Sequence, residues 1–183
     1  MDRATASWRN TTHDWASAVD IDHLSSIRSD PAAFAPGGTG HLILEVVAYA
    51  ADEAESTGGG RCTVTLHADG SVSVADDGRG TDTRFDDHGR PVKKPVMASK
   101  DLRFFDHPDA QLLPDGYPRR GMSVVAALSE WLVHTNRRAG GAWLQRLPAE
   151  PLLTAVGSTS HELARFVTPW PYLSVEVDDR RII

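Results

Sequence analysis

The sequence predicts an α+β sandwich, with helices on one face of a mixed, mostly antiparallel sheet. Three observations predict it. A break-free helical stretch runs from His41 to Ser56; two β-rich segments flanking a tight turn follow it directly; and the last third of the chain holds further strand-like pairs. With 183 residues, 40% of them apolar and 24% charged, the chain has the composition of one ordinary globular domain and not of a fibrous or disordered one.

Each element has its own local reason. Asp14 to Ser29 is weakly helical, and the segment Asp30 to Gly40 is rich in Pro and Gly, which reads as a break. His41 to Ser56 contains good helix formers and no Pro or Gly. Its Leu42, Ile43, Val46, Val47 and Ala50 recur at helical spacing, and Gly58, Gly59 and Gly60 stop it. Cys62 to His67 and Ser71 to Ala75 alternate and are β-rich, and Ala68-Asp69-Gly70 between them is a hairpin turn. Residues 81–120 are polar and carry Pro91, Pro95, Pro108, Pro114 and Pro118, so they read mostly as a long mobile loop. Gly121 opens a second helix, Met122 to Ser129. Strands are expected over Trp131 to Thr135, Ala142 to Leu147, Leu163 to Val167 and Leu173 to Val177, with a turn at Arg138 to Gly141.

Composition excludes several function classes. The 19 Lys and Arg against 25 Asp and Glu give a net charge of −6, a poor balance for autonomous DNA binding, which depends on neutralising phosphates. The basic pairs Arg119-Arg120, Arg137-Arg138 and Arg180-Arg181 read as solvated loop charge or as a local basic groove. No apolar run approaches the roughly 20 residues that span a bilayer, and the N-terminus lacks the apolar core of a secretion signal, so no membrane partner is expected. Cys62 is the single cysteine, which excludes an intrachain disulfide and an ordinary zinc site. The expectation is a cytoplasmic protein.

Three local patterns carry chemistry. Glu45, Tyr49 and Glu53 lie four apart, forming one stripe on the first long helix with Asp52 beside it. A carboxylate flanked by Leu44, Val46 and Val47 is partly desolvated, which suits a general base toward water; a glutamate at a solvent boundary gives the same pattern. Asp76-Asp77-Gly78-Arg79-Gly80 ends a strand. Asp76 there can accept from an exocyclic amine, and Gly78 and Gly80 permit positive φ and close approach of a ligand; an exposed turn reads the same way. Gly116 to Val125 runs from a loop into a helix, an arrangement that offers N–H groups to an anion with Arg119 and Arg120 adjacent, or that simply starts a helix.

In order, these patterns resemble the ATPase domain of the DNA gyrase B and topoisomerase IV family, a Bergerat-type sandwich. LEVVAYAADEA (44–54) is similar to the family's EVVDNxxDEA, HADGSVSVADDGRG (67–80) to its HxDgSvsVxDdGRGIP, and GMSVVAALSEWL (121–132) to its GVGVSVVNALS. LSSIRSDP (24–31) resembles the segment ahead of the first nucleotide-binding helix. The likeness covers roughly residues 23–180, so residues 23–183 are expected to form a gyrase-B-like ATP-binding domain and residues 1–22 a variable N-terminal segment. The resemblance implies ATP or ADP as ligand. It assigns Glu45 to the base that activates water, Asp76 to the adenine amino group, and Gly78 to the glycine beside the base pocket, with Gly80 among the nucleotide-binding residues. Glu53 and Arg79 match an ion pair flanking it, Gly121 the last glycine of the phosphate lid, and Arg138 the pocket rim. Positioning water and neutralising developing charge is what phosphoryl transfer asks of such residues.

Departures from the family pattern qualify those roles. Tyr49 occupies the position of the asparagine that holds magnesium, and a neutral phenol is a poorer ligand for that hard cation. Ala48 replaces the neighbouring aspartate, Thr81-Asp82 replaces Ile-Pro, Pro118-Arg119 replaces two lid glycines, and Ser160-His161-Glu162 stands for the late Thr-Gly-Thr. The adenine half of the pattern is kept and the phosphate–magnesium half is eroded. Residues 23–183 are expected to correspond to the ATP-binding part of the family alone, without its transducer or DNA-cleavage regions. The expectation is an adenine-nucleotide-binding protein with weak or absent hydrolysis. A slow ATPase using Arg119 or Arg120, or a nucleotide-free interaction module contacting gyrase, are the alternatives. A homodimer or another protein partner is left open.

Overall fold

A computed structural model describes residues 20–81, 83–89, 91–93, 99–105, 107–138, 141–148 and 170–181. It divides into two units. The helix–sheet unit comprises residues 35–78, 112–118 and the last described strand; the second unit comprises residues 20–34, 79–111 and 119–148.

Chain order gives α1 (Ile21–Ser29), α2 (Pro31–Phe34), α3 (Gly38–Thr57), β1 (Gly60–Leu66), β2 (Val72–Asp76), β3 (Thr83–Phe85), β4 (Pro91–Lys93), α4 (Met122–Leu128), β5 (Trp131–Arg138), β6 (Gly141–Pro148) and β7 (Leu173–Asp179). In the helix–sheet unit, β1 is the central strand. It pairs antiparallel with β2, Val64 opposite Val74, and parallel with β7, Val64 opposite Val177. Alternation along β1 buries Cys62, Val64 and Leu66 against α3, which contributes Ile43, Leu44, Val47, Ala48, Ala50 and Ala54. Leu113 and Leu173 complete that core. Helix α3 ends because Gly58 adopts the left-handed conformation (φ 83°), with its N–H and that of Gly59 bonding the Ala54 carbonyl. Burial of the Cys62 thiol, helped by the nearby charges of Asp76 and Asp77, pushes its pKa up to about 12, as expected of an inert core cysteine.

In the second unit α1 packs on α4. His23 Nε2 lies 2.8 Å from Ser123 Oγ, and Arg28 Nε donates to the last-turn carbonyl of Ala127 at 3.2 Å. The ring of Phe105 meets His23 edge-on at 4.3 Å and stacks on Phe34 at 5.6 Å. Strands β5 and β6 form one antiparallel hairpin, and β3 and β4 another.

The structure bears out the α+β sandwich class and differs in detail. The Pro- and Gly-rich segment expected as a break contains α2, with Pro31 at its first position, where the missing N–H costs nothing, and the first turn of α3. Residues 81–120 hold the β3–β4 hairpin and a Leu112–Pro118 bridge. Strands β5, β6 and β7 run longer than expected, β5 continuing through Arg138. The strand expected over Leu163 to Val167 and the helical expectation from Asp14 to Val19 lie outside the described residues.

Candidate functional site

Helix α3 has two faces. Its apolar side is the core described above, and a stripe spaced by four carries His41, Glu45, Tyr49 and Glu53. The stripe begins in the interior, with His41 1% and Glu45 0% exposed, and reaches a half-buried environment at Tyr49 and Glu53. Ala48, where the motif has an aspartate, is a fully buried core residue. The imidazole of His41 lies between two carboxylates. Its Nε2 faces Glu45 Oε1 at 3.4 Å, an ion-pair separation without hydrogen-bond alignment. On the other side of the ring, Nδ1 donates to Asp115 Oδ2 at 2.7 Å. Burial lowers the imidazole pKa, but the hydrogen bond to Asp115 and the charges of both carboxylates outweigh it and raise the pKa to about 9.

The turn after β2 gives its two aspartates different work. Asp76 is exposed, and its Oδ1 accepts the Gly78 N–H at 2.9 Å. Asp77 closes the strand pair, its N–H donating to the Arg61 carbonyl and its Oδ1 accepting the Arg61 N–H at 2.7 Å. Gly78 is required for space and not, as expected from the sequence, for positive φ. A Cβ there would lie 2.6 Å from Asp76 Oδ1 and 2.7 Å from Glu53 Cγ, so Asp76, Gly78 and Glu53 are gathered at one spot.

The remaining expected residues belong to the second unit: Arg79, Gly80, Gly121 and Arg138. Gly80 does adopt positive φ, 80°, and a Cβ would collide with the Arg137 carbonyl oxygen. Asn136, which the motifs did not flag, clamps the neighbouring residue: its Oδ1 accepts the Thr81 N–H at 2.6 Å and its Nδ2 donates to the Thr81 carbonyl at 3.0 Å. Arg138 donates to the Gly80 carbonyl at 2.9 Å. Gly121 caps α4, whose seven residues are all buried. Arg119 is fully buried; its guanidinium lies 4.1 Å from the Phe104 ring centroid, and Nη1 donates to Gln111. It is a structural cation and not loop charge. Arg180 and Arg181 pair with Asp178 and Asp179 at the exposed end of β7.

His41 and Asp115 also escaped the sequence reading. His41 was legible in principle, standing one turn before Glu45 on the same stripe; Asp115, 74 residues away in sequence, was not. Among the described residues no group of three or more His, Cys, Asp or Glu is arranged to hold a metal, and no helix is long and apolar enough to cross a membrane.

A long helix packed on a mixed sheet, with a carboxylate-bearing stripe and a glycine-bearing acidic turn at a strand end, defines a Bergerat-type sandwich. No family model matches the chain. It is similar to the B subunit of DNA gyrase from Archaeoglobus fulgidus, 35% identical over 130 residues that cover 69% of this chain and 21% of that protein. It is 34% identical to the B subunit of DNA gyrase from Mycobacterium tuberculosis over 161 residues, 85% of this chain and 24% of that protein. The B subunit of DNA topoisomerase 4 from Staphylococcus epidermidis is 31% identical over 135 residues, 68% of this chain and 19% of that protein. The chain belongs with these relatives as a gyrase-B-like domain, and it spans about a fifth of the length of the curated relatives it matches.

The buried imidazole makes stability depend on pH with a definite sign. Unfolded, His41 titrates near 6.5, and folded near 9. Its contribution is therefore complete below pH 6.5 and lost as the pH rises through 9. Urea unfolding of the wild type should show stability falling over that window, and His41→Gln should flatten the decline; an equally steep decline in the variant would place the titrating group elsewhere.

Proposed function

We propose that the chain binds adenine nucleotide on its helix–sheet unit, with hydrolysis weak or absent. The observation that carries this reading is the Asp76–Gly78 turn. The Gly78 N–H orients an exposed carboxylate at the end of β2 through one oxygen, and a carboxylate has about four acceptor sites in all, so acceptor capacity is left for an exocyclic amine. A Cβ on Gly78 would collide with Asp76 Oδ1 and Glu53 Cγ, so glycine at this position is what lets the Asp76 carboxylate and Glu53 close on one spot. Similarity to gyrase B and topoisomerase IV B relatives supports the same ligand class.

The phosphate side supports less. The stripe position that should supply a magnesium ligand is the neutral phenol of Tyr49, and the adjacent Ala48 is buried and apolar. This donor set does not fit magnesium, a hard cation that takes oxygen ligands in octahedral geometry. Of the two candidates for a substituting charge, Arg119 is engaged with Phe104 and Gln111, and the Arg120 guanidinium lies 5.8 Å from the Phe105 ring centroid. Stabilising the charge that develops on the transferring phosphoryl group carries much of the rate in such reactions, so a well-placed Glu45 alone accomplishes little. A second reading, a slow ATPase, is favoured by one observation: Glu45 is held beside a positioned imidazole, as a water-activating base would be.

A hydrogen bond to a charged group is worth about 1.5–3 kcal/mol. Calorimetry should therefore show Asp76→Asn weakening ATP and ADP binding by at least about tenfold; unchanged affinity contradicts the assignment.

Turnover tests the phosphate side separately. Wild-type hydrolysis should be near background and nearly insensitive to magnesium. Tyr49→Asn should raise it, and Glu45→Ala in that background should remove the gain. Brisk wild-type turnover abolished by Glu45→Ala would establish the slow-ATPase reading instead.

A further inference from the structure

The loop of residues 112–118 meets helix α3 through a side chain held at both ends. The loop is closed on itself: Leu113 N–H donates to the Tyr117 carbonyl and Gly116 N–H to the Leu113 carbonyl, both at 2.8 Å, and Leu112 bridges Pro118. Within it, Asp115 Oδ1 accepts the Tyr117 N–H at 3.1 Å, while Oδ2 accepts His41 Nδ1–H at 2.7 Å. One carboxylate thus joins the loop backbone to the imidazole, and neither oxygen can turn without breaking a bond. The helix start makes room for it, since a Cβ on Gly37 would lie 2.9 Å from Asp115 Oδ2 and 3.0 Å from His41 Cβ.

We propose that Asp115 is a positioning residue: by fixing Nδ1 of His41 it directs Nε2 at Glu45, making a buried carboxylate–imidazole–carboxylate array of Asp115, His41 and Glu45. The reading of Glu45 as the base rests on the function proposed above; the array itself does not. Geometry dictates its protonation. With Nδ1–H committed to Asp115, a neutral ring would present the Nε2 lone pair to a carboxylate oxygen 3.4 Å away, two acceptors face to face. A proton on Nε2 turns that repulsion into attraction, so His41 sits there as an imidazolium. The titratable groups facing the ring among the described residues are Asp115 from the loop, Glu45 from the helix, and Tyr117, whose ring meets it edge-on at 6.1 Å. In hydrolytic triads a carboxylate bonded to Nδ1–H likewise fixes the tautomer and orientation of the ring and stabilises its imidazolium.

Nitrogen NMR of the histidine rings tests this on the full chain without nucleotide, with the His41 signals assigned by their loss in His41→Gln. In the wild type both ring nitrogens should be protonated at about pH 8 and lose a proton near pH 9. Asp115→Asn should lower the proton affinity of His41 at least about tenfold, and Asp115→Glu should restore part of it. Wild-type titration at the ordinary 6.5, or an unchanged midpoint in Asp115→Asn, overturns the proposal, and the wild-type measurement decides even if the variant fails to fold. Catalytic linkage is read in the Tyr49→Asn background, where Asp115→Asn should shift the pH profile of kcat and leave KM unchanged. A KM change with an unshifted profile overturns the positioning role. If the ring titrates as expected but no variant hydrolyses ATP, the base assignment of Glu45 fails and the array stands.

Discussion

Burying Glu45 is the constraint on which the helix–sheet unit depends. Helix α3 cannot seat Leu44 and Val47 against β1 without taking the residue between them and their neighbours out of water as well. Each of those apolar side chains gains about 1.5–3 kcal/mol on burial. A lone buried carboxylate costs several kcal/mol, enough to cancel two of them. The imidazole of His41 offsets that penalty locally, and Asp115 in turn holds the imidazole in its charged form. The loop of residues 112–118 is therefore part of the reason the helix can pack as it does, and a group with chemistry is kept inside the fold at the start of the same stripe that surfaces at Tyr49 and Glu53.

The acidic turn after β2 follows a different rule, in which adjacent residues with similar side chains do unlike things. Asp77 extends the β1–β2 pairing by two hydrogen bonds to Arg61 and is structural. Asp76 faces outward, oriented by Gly78. Two residues on, Gly80 is needed for its left-handed backbone against β5, where Asn136 and Arg138 bind Thr81 and Gly80. The glycines of this turn thus serve two purposes, space at position 78 and conformation at position 80.

Much of this was legible in the sequence, for reasons tied to locality. The long helix and the hairpin were readable because helical spacing from Leu42 to Ala50 and alternation from Cys62 to Leu66 are local signals that tertiary packing reinforced. Short motifs single out Glu45, Asp76 and Gly78, and the structure buries Glu45 on α3 and sets Asp76 and Gly78 in one hydrogen-bonded turn. The α2 helix was missed because its Pro31 counts as a breaker in isolation and as a good first residue in context. Burial of Arg119 was missed because a basic pair in a Pro-rich stretch looks solvated, and only its packing with Phe104 and Gln111 makes it otherwise. The Asp115–His41 bond spans 74 residues and leaves no trace in any local pattern.

Calorimetric titration with ATP and then with GTP tests most directly whether the Asp76 carboxylate selects adenine. The two bases present opposite hydrogen-bonding groups at the same ring position: an amine that a carboxylate accepts from, and a carbonyl that it repels. ATP should bind at least about tenfold more tightly than GTP, the margin that one charge-assisted hydrogen bond supplies. Equal affinity for the two nucleotides, or binding of neither, would contradict it.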